Sequence, residues 1–270
     1  MGRVARVDST DFAHEVSHIA QSFVDARRAG RSLPDYPGTV PTALADAYAV
    51  QDAAIALNEV EIGGWKVGRI NPPIGGVDRL AGPIFTRQII EADPSPAAMP
   101  VFVGGFAAAE AEFLLRIGAT PPSGKMHFTH EEAAALIDAV HIGIEIASSP
   151  LAAINDLGAA VTVSDFGNNN GLVVGAAIAD WRHADIENWP LAVAINGRII
   201  GSGKAADMLD GPIGAARFLF ELMAERGIAL KPGQWISSGA VTGVHAVEIG
   251  DRIEARFGTD LAVECTIRAS

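Results

Sequence analysis

The sequence holds one cysteine, Cys265, so it can form no internal disulfide, and nothing around that residue resembles a redox or metal motif. Cys265 reads as a small buried hydrophobe in a strand rather than as a catalytic thiol. No apolar run approaches the ~18 residues that suggest a membrane span. The opening stretch, Met1 to Phe12, lacks the apolar segment of a signal peptide. A cytoplasmic protein in a reducing compartment is therefore the default expectation. Aromatic residues are scarce, at 6%, so the core must be built from alanine, valine, isoleucine and glycine. Charged residues are also few, at 19%, and with 49% hydrophobic residues this excludes a disordered chain. Positive charge is the scarcer sign, with 20 Lys and Arg against 32 Asp and Glu and a net charge of −12. Such a chain repels phosphate backbones and anionic lipid, so neither nucleic acid nor a membrane surface is an expected partner. An anionic substrate would need a local cation, either a metal or a specific Lys or Arg. There is no internal repeat and no low-complexity segment.

The elements that are present begin with two helices. Residues 10–30 carry Phe12, Val16, Ile19 and Phe23 at helical spacing, with Ser9 or Thr10 as a cap. Residues 43–60 form an alanine-rich second helix behind Thr42, after a loop over 33–41. Trp65 to Gly68 reads as a short strand entering a loop over 71–83, a stretch dense in Pro and Gly. A further loop over 92–100 marks a soft boundary. It separates an N-terminal helical region with its lysine loop (1–92) from a strand-rich catalytic domain (93–270), expected to be integrated into one unit.

Beyond it, 102–115 is extended, 129–138 is a helix capped by Thr129, and 141–147 alternates like a strand. Asn196-Gly197 marks a hairpin between 191–195 and 198–201. A helix over 212–226 stops at Gly227, and strands over 235–238, 246–249, 251–257 and 262–268 close the chain.

Chemistry concentrates at a few positions. In a strand, alternate residues share a face, so Glu110 and Glu112 project together while Ala109, Ala111 and Phe113 face away. Two carboxylates that close, in an apolar sequence, repel each other and lose hydration, and a hard divalent cation compensates directly. The bland alternative is a solvated face, or pairing with Arg116 or Lys125. Glu145 lies in Ile142-Gly-Ile-Glu-Ile146, where the isoleucines fill one face and leave the acid on the other. Three such carboxylates on neighbouring strands would make one face of an octahedral site.

Lys66 sits in Gly63-Gly-Trp-Lys-Val-Gly-Arg69, where glycines allow close backbone approach to a ligand. A partly desolvated lysine has a lowered pKa and serves as acid or base, though a surface lysine on an edge strand is the commoner case. Arg69 offers a second cation for a carboxylate. Asp165 to Gly171, Asp-Phe-Gly-Asn-Asn-Asn-Gly, reads as a polar loop after an apolar strand, lining a pocket or forming a turn. The seven histidines show no metal-ligand spacing.

These residues together resemble the 2-keto-4-pentenoate hydratase / 4-oxalocrotonate decarboxylase family of the fumarylacetoacetate hydrolase superfamily. The matching pieces are the Gly64–Gly68 lysine segment, Glu110-Ala-Glu112, the Glu145 strand and Ile195-Asn-Gly-Arg198. Leu230 to Gly239 and the Gly250-Asp251 turn match as well, so the similarity covers nearly the whole chain.

The resemblance implies a strand-rich α+β fold with a smaller helical N-terminal region, and a metal site at Glu110, Glu112 and Glu145 holding Mg²⁺ or Mn²⁺. It implies catalytic roles for Lys66 and Asp165, with Arg69, Asn169, Ser238 and Gly239 binding the substrate. The chain departs from the family's usual pattern after Lys66, in the Asp165 loop and at Ala240. Residues 76–85 also match that pattern poorly, and all of these departures leave the metal ligands intact.

The expected activity is a metal-dependent hydratase in aromatic-compound breakdown, adding water to a 2-hydroxydienoate to give a 4-hydroxy-2-oxo acid. A 2-oxo acid decarboxylase using the same enolate is the alternative. A non-catalytic partner subunit of a pathway enzyme is the alternative of another class. A homo-oligomer is the expected assembly, with a small 2-oxo or 2-hydroxydienoic acid as its ligand. A carbon–carbon hydrolase ranks lower, because neither the His/Glu dyad nor the Lys-Pro motif of those members is found.

Overall fold

The computed structural model describes residues 9–92 and 96–270. Helices α1 (Ser9–Arg28) and α2 (Leu44–Leu57) precede a hairpin of β1 (Ile62–Ile74) and β2 (Val77–Phe85). Short strands β3 (Ile89–Glu91) and β4 (Ala97–Val101) lead to the long strands β5 (Phe106–Ile117) and β6 (Ile137–Ser149), with helix α3 (His130–Ala135) between them. Helix α4 (Ala159–Ser164) and a 3₁₀ turn, Phe166–Asn168, then feed β7 (Asn169–Ala177). A second hairpin, β8 (Leu191–Ile195) and β9 (Arg198–Gly203), is followed by α5 (Gly211–Glu225), β10 (Trp235–Ser237), β11 (His245–Ala246), β12 (Arg252–Phe257) and β13 (Leu261–Ala269).

β5 and β6 pair antiparallel along the full length of β5 and form the middle of a large sheet, ordered β2-β1-β10-β5-β6-β7-β3, with β11 also on β5. A second sheet runs β4-β13-β12-β8-β9. The alternation read from the sequence explains how they meet. Ala109, Ala111 and Phe113 of β5 and Ile142, Ile144 and Ile146 of β6 are buried in one core with Ile253, Ala255 and Phe257 of β12, and with Leu219, Phe220 and Met223 of α5. The opposite face of β5 and β6 carries the three glutamates. α1 and α2 bring Phe23 and Val50 into a second core with Phe85, Val161 and Phe166. The large sheet draws on both ends of the chain, because β10 joins β1 to β5.

The α+β, strand-rich reading of the sequence is the observed fold, and several of its elements fall where expected. Thr129 caps α3 by accepting from the Glu132 amide, Asn196 and Gly197 take the positive φ that a tight hairpin requires, and Cys265 is a buried strand residue. Six expectations need correction. The stretch 71–83 is not a loop but the hairpin of β1 and β2, turning at Gly75-Gly76. The expected loop 92–100 contains β4 from Ala97, its residues 93–95 lying outside the described ones. α3 stops at Ala135, because Ile137 already enters β6. Only His245 and Ala246 form a strand in the expected 246–249 region. Asp165 follows helix α4 rather than a strand, and the polar run after it continues directly into β7. α2 is preceded by Ala43, with no side-chain cap from Thr42.

Candidate functional site

Register places the acids together. Glu110 of β5 stands directly opposite Glu145 of β6, and Glu112, two residues along, lies opposite Gly143. Like charges directly across a ladder destabilise a sheet. Carboxylate oxygens of the three lie within 4.8 Å of one another, and all three residues are buried. The bland alternatives fail, because Arg116 pairs with Asp138 and Lys125 with Glu132.

Each acid is held from a different direction. Glu112 Oε2 accepts from Ser237 Oγ at 2.5 Å and from the Gly239 amide at 2.8 Å. Glu145 Oε1 accepts from Asn169 Nδ2 at 2.9 Å. Their other oxygens, Glu112 Oε1 and Glu145 Oε2, are buried with no hydrogen-bond partner among the described residues. A buried unpaired carboxylate oxygen is costly. Two of them in a cluster of three hard oxygen donors fit a divalent cation such as Mg²⁺ or Mn²⁺.

Lys66, on β1, reaches this face through the β1–β10–β5 order. Its Nζ is 3.4 Å from Glu145 Oε1 and 3.5 Å from Asn168 Oδ1, and the residue is buried. The sequence reading expected desolvation to lower its pKa. Burial does push that way, but Glu145, Glu110 and Glu112 outweigh it and hold the amine charged, above the ordinary lysine value. The acids respond in kind. Burial pushes Glu110 up to about 7, with Lys66 opposing and Glu145 adding to the rise. Glu112 is raised well above the usual carboxylate range, by burial first and then by its two acidic neighbours.

The cluster opens into a cavity of about 700 Å³, within the size range of small-molecule sites. Lys66, Glu110, Arg69, Ser238 and Gly239 line it, as does Asn168 from the polar run read as a possible pocket wall, together with Asn155, Thr162 and Asp207, which the sequence reading did not single out. Arg69 is exposed there and has no acidic partner among the described residues. Asn168 comes close to Lys66 because Gly82 of β2 has no side chain. A Cβ on Gly82 would stand 2.1 Å from the Phe166 carbonyl oxygen, inside the turn that carries Asn168.

Two sequence-predicted residues are not brought into the cavity. Asp165 is fully buried, and its carboxylate accepts from Arg27 Nε at 2.5 Å and Nη2 at 2.9 Å, and from Ser149 Oγ at 2.6 Å. Asn169 lies behind Glu145, and Arg27 Nη1 donates to its carbonyl at 3.0 Å. Arg27 and Ser237 carry no sequence signal, because their partners lie 138 and 125 residues away along the chain.

No protein-family model matches the chain. Among curated proteins, a 4-oxalocrotonate decarboxylase from Pseudomonas sp is 26% identical over 248 residues, 87% of this chain and 91% of its own. A 2-keto-4-pentenoate hydratase from Paraburkholderia xenovorans is 26% identical over 251 residues, 88% of this chain and 89% of its own. A 4-oxalocrotonate decarboxylase from Pseudomonas putida is 28% identical over 95 residues, 35% of this chain and 36% of its own. The chain is a homologue of these decarboxylases and hydratases.

Its fold agrees. The 4-oxalocrotonate decarboxylase from Pseudomonas putida G7, complexed with magnesium and adipate, superposes with a TM-score of 0.78 at 20% identity, covering 97% of this chain and 100% of that one. A fumarylpyruvate hydrolase from Pseudomonas aeruginosa, in complex with Mn²⁺ and pyruvate, gives 0.56 at 14% identity, covering 78% of this chain and 91% of that one. The fold implied by the sequence motifs is the observed one, and the homologues carry both of the names that the motifs resembled. The enzymatic homologues and the buried triad together support a metal-dependent enzyme.

Proposed function

We propose that the protein is a metal-dependent hydratase that adds water to a small 2-hydroxydienoate, giving a 4-hydroxy-2-oxo acid. The observation that carries this reading is the buried triad Glu110, Glu112 and Glu145, with two unpartnered oxygens and a charged Lys66 beside it, at the head of the cavity. The triad would hold the cation, which supplies Lewis-acid stabilisation of enolate charge.

The remaining steps fall to side chains. Lys66 is charged, so it is a proton donor at the start of the reaction. Lys66 Nζ delivers a proton to C5 while the 2-hydroxyl proton passes to a cavity water, which returns it to the lysine amine, and the dienol becomes a 2-oxo-3-enoate. Water then adds across C3 and C4, the hydroxyl to C4 and a proton to C3. Asn155, Thr162, Asn168 and Asp207 offer polar groups on the cavity wall to hold that water. Ser238 Oγ, buried and unpartnered among the described residues, is free to bind a substrate oxygen. Asp165 and Asn169 act here as positioning residues rather than as groups that touch substrate.

One observation favours a second reading, decarboxylation of a 2-oxo diacid. Arg69 puts a cation on the cavity wall that a monocarboxylate does not need, and the magnesium-loaded relative was solved with adipate, a six-carbon diacid. Ultraviolet assays with 2-hydroxypenta-2,4-dienoate and with 2-oxohex-3-enedioate, each with Mg²⁺, Mn²⁺ and chelator, decide between them. Metal-dependent loss of dienoate absorbance with a 4-hydroxy-2-oxo product supports the hydratase. Carbon dioxide from the diacid replaces it with the decarboxylase. Turnover of neither, with metal still bound, returns the protein to a non-catalytic partner role.

A further inference from the structure

A second cavity, of about 390 Å³, opens beside the Arg27–Asp165 pair, and none of its lining residues lines the first. Its charge is out of keeping with the chain. Arg27, Arg28, Arg87 and Arg268 all line it, from three separate parts of the sequence, and no Asp or Glu side chain does, in a protein of net charge −12. Arg27 is balanced by Asp165. Arg28 donates to the Leu57 carbonyl at 2.6 Å, and Arg268 to the Ala98 carbonyl at 3.2 Å and the Ala269 carbonyl at 2.9 Å. Those bonds orient the two guanidinium groups without neutralising them. Arg87 has no side-chain partner among the described residues. A carboxylate on Ser270, which also lines the cavity, would balance one of the three and leave two.

The rest of the wall narrows the chemistry of an occupant. Phe85 and Phe166 meet edge to face at 5.1 Å, and Phe102 lies 5.4 Å under the Arg27 guanidinium, so the floor is aromatic. The nearby amide of Asn170 is already committed. Its oxygen accepts from Arg27 and Gln88, and its nitrogen donates to the Pro100 carbonyl. What remains to a ligand is a set of forked donors, suited to carboxylates, around apolar surface.

We propose that this cavity is a second ligand site, which takes a small organic dicarboxylate with a flat apolar body. The test is calorimetric titration of benzene-1,4-dicarboxylate into the Mg²⁺-loaded protein. It compares wild type with the double variant Arg87→Ala, Arg268→Ala and with Lys66→Ala in the first cavity. The expected result is one saturable site, weakened at least about tenfold in the double variant and unchanged in Lys66→Ala. Circular dichroism establishes that both variants are folded.

Inorganic phosphate, which has the charge without the apolar body, is expected to bind at least about tenfold more weakly. Phosphate binding as tight as the dicarboxylate would overturn the assigned ligand class. Loss of binding in Lys66→Ala with retention in the double variant would overturn the site, as would no saturation up to roughly 10 mM.

Discussion

Lys66 and the three glutamates form one electrostatic unit, and single substitutions in it separate chemistry from metal binding. Removing the ammonium takes a like charge away from an incoming cation. Lys66→Ala is therefore expected to lower kcat at least about a hundredfold while Mg²⁺ binds as tightly as before or tighter, as read by steady-state kinetics and calorimetry. Ordinary turnover in that variant would remove Lys66 from the reaction. Glu112→Gln keeps an oxygen for Ser237 and Gly239 but loses the charge. Metal affinity is expected to fall more than about tenfold, while the metal-free protein melts higher than metal-free wild type, because a buried acid crowded by Glu145 and Glu110 is gone. The glutamate cluster was legible at this scale because a strand's period of two puts Glu110 and Glu112 on one face and sets Glu145 against its isoleucines. Asn169 and Asp165 stood out as polar, but their true partners, Glu145 and Arg27, are set only by the fold.

Among the elements, the β1–β2 hairpin shows where local signals mislead. Pro72, Pro73 and Pro83 argue against a strand, yet the ladder skips from Arg69 to Ile74, and Pro83 sits on β2 at the edge of the sheet, where a missing amide costs nothing. α4 errs the other way, since Val161, Thr162 and Val163 favour a strand and burial of nearly the whole segment overrides that preference. The hairpin also shapes the site through Gly82. Gly82→Ala is expected to displace the Phe166–Asn168 turn, destabilising the protein by roughly 1–3 kcal/mol and lowering kcat with metal affinity retained. Thermal melts and calorimetry check both parts, and unchanged melting would show that the turn yields freely.

The whole molecule was legible as a strand-rich α+β chain, because its apolar residues alternate and its turns are marked by glycine. Its layering was not, since β10 joins β1 to β5 across more than a hundred residues of sequence. At this scale the acidic cluster sets a pH dependence. Glu110 in the metal-free protein is raised to about 7, so the folded state holds that proton more tightly than the unfolded chain does. This contribution to stability is full below the ordinary carboxylate value and is lost as pH rises through about 7. In EDTA the melting temperature is expected to fall between about pH 5 and about pH 8, and saturating Mg²⁺ should flatten the decline. Equal pH profiles with and without metal would contradict the assignment of the triad as its ligand.

Arg27 lies near the end of α1 and donates to the carbonyl of Asn169, whose side chain holds Glu145. The first helix of the chain is thus two hydrogen bonds from the glutamate cluster proposed to hold the cation. Linkage makes that connection reciprocal, so whatever the seated helix adds to cation affinity, the cation returns as protection of the helix. Backbone amides of α1 should exchange with deuterium more slowly when Mg²⁺ is present than in chelator, and Arg27→Lys should shrink the difference. The N-terminal helix would then act as a gauge of whether the enzyme is loaded.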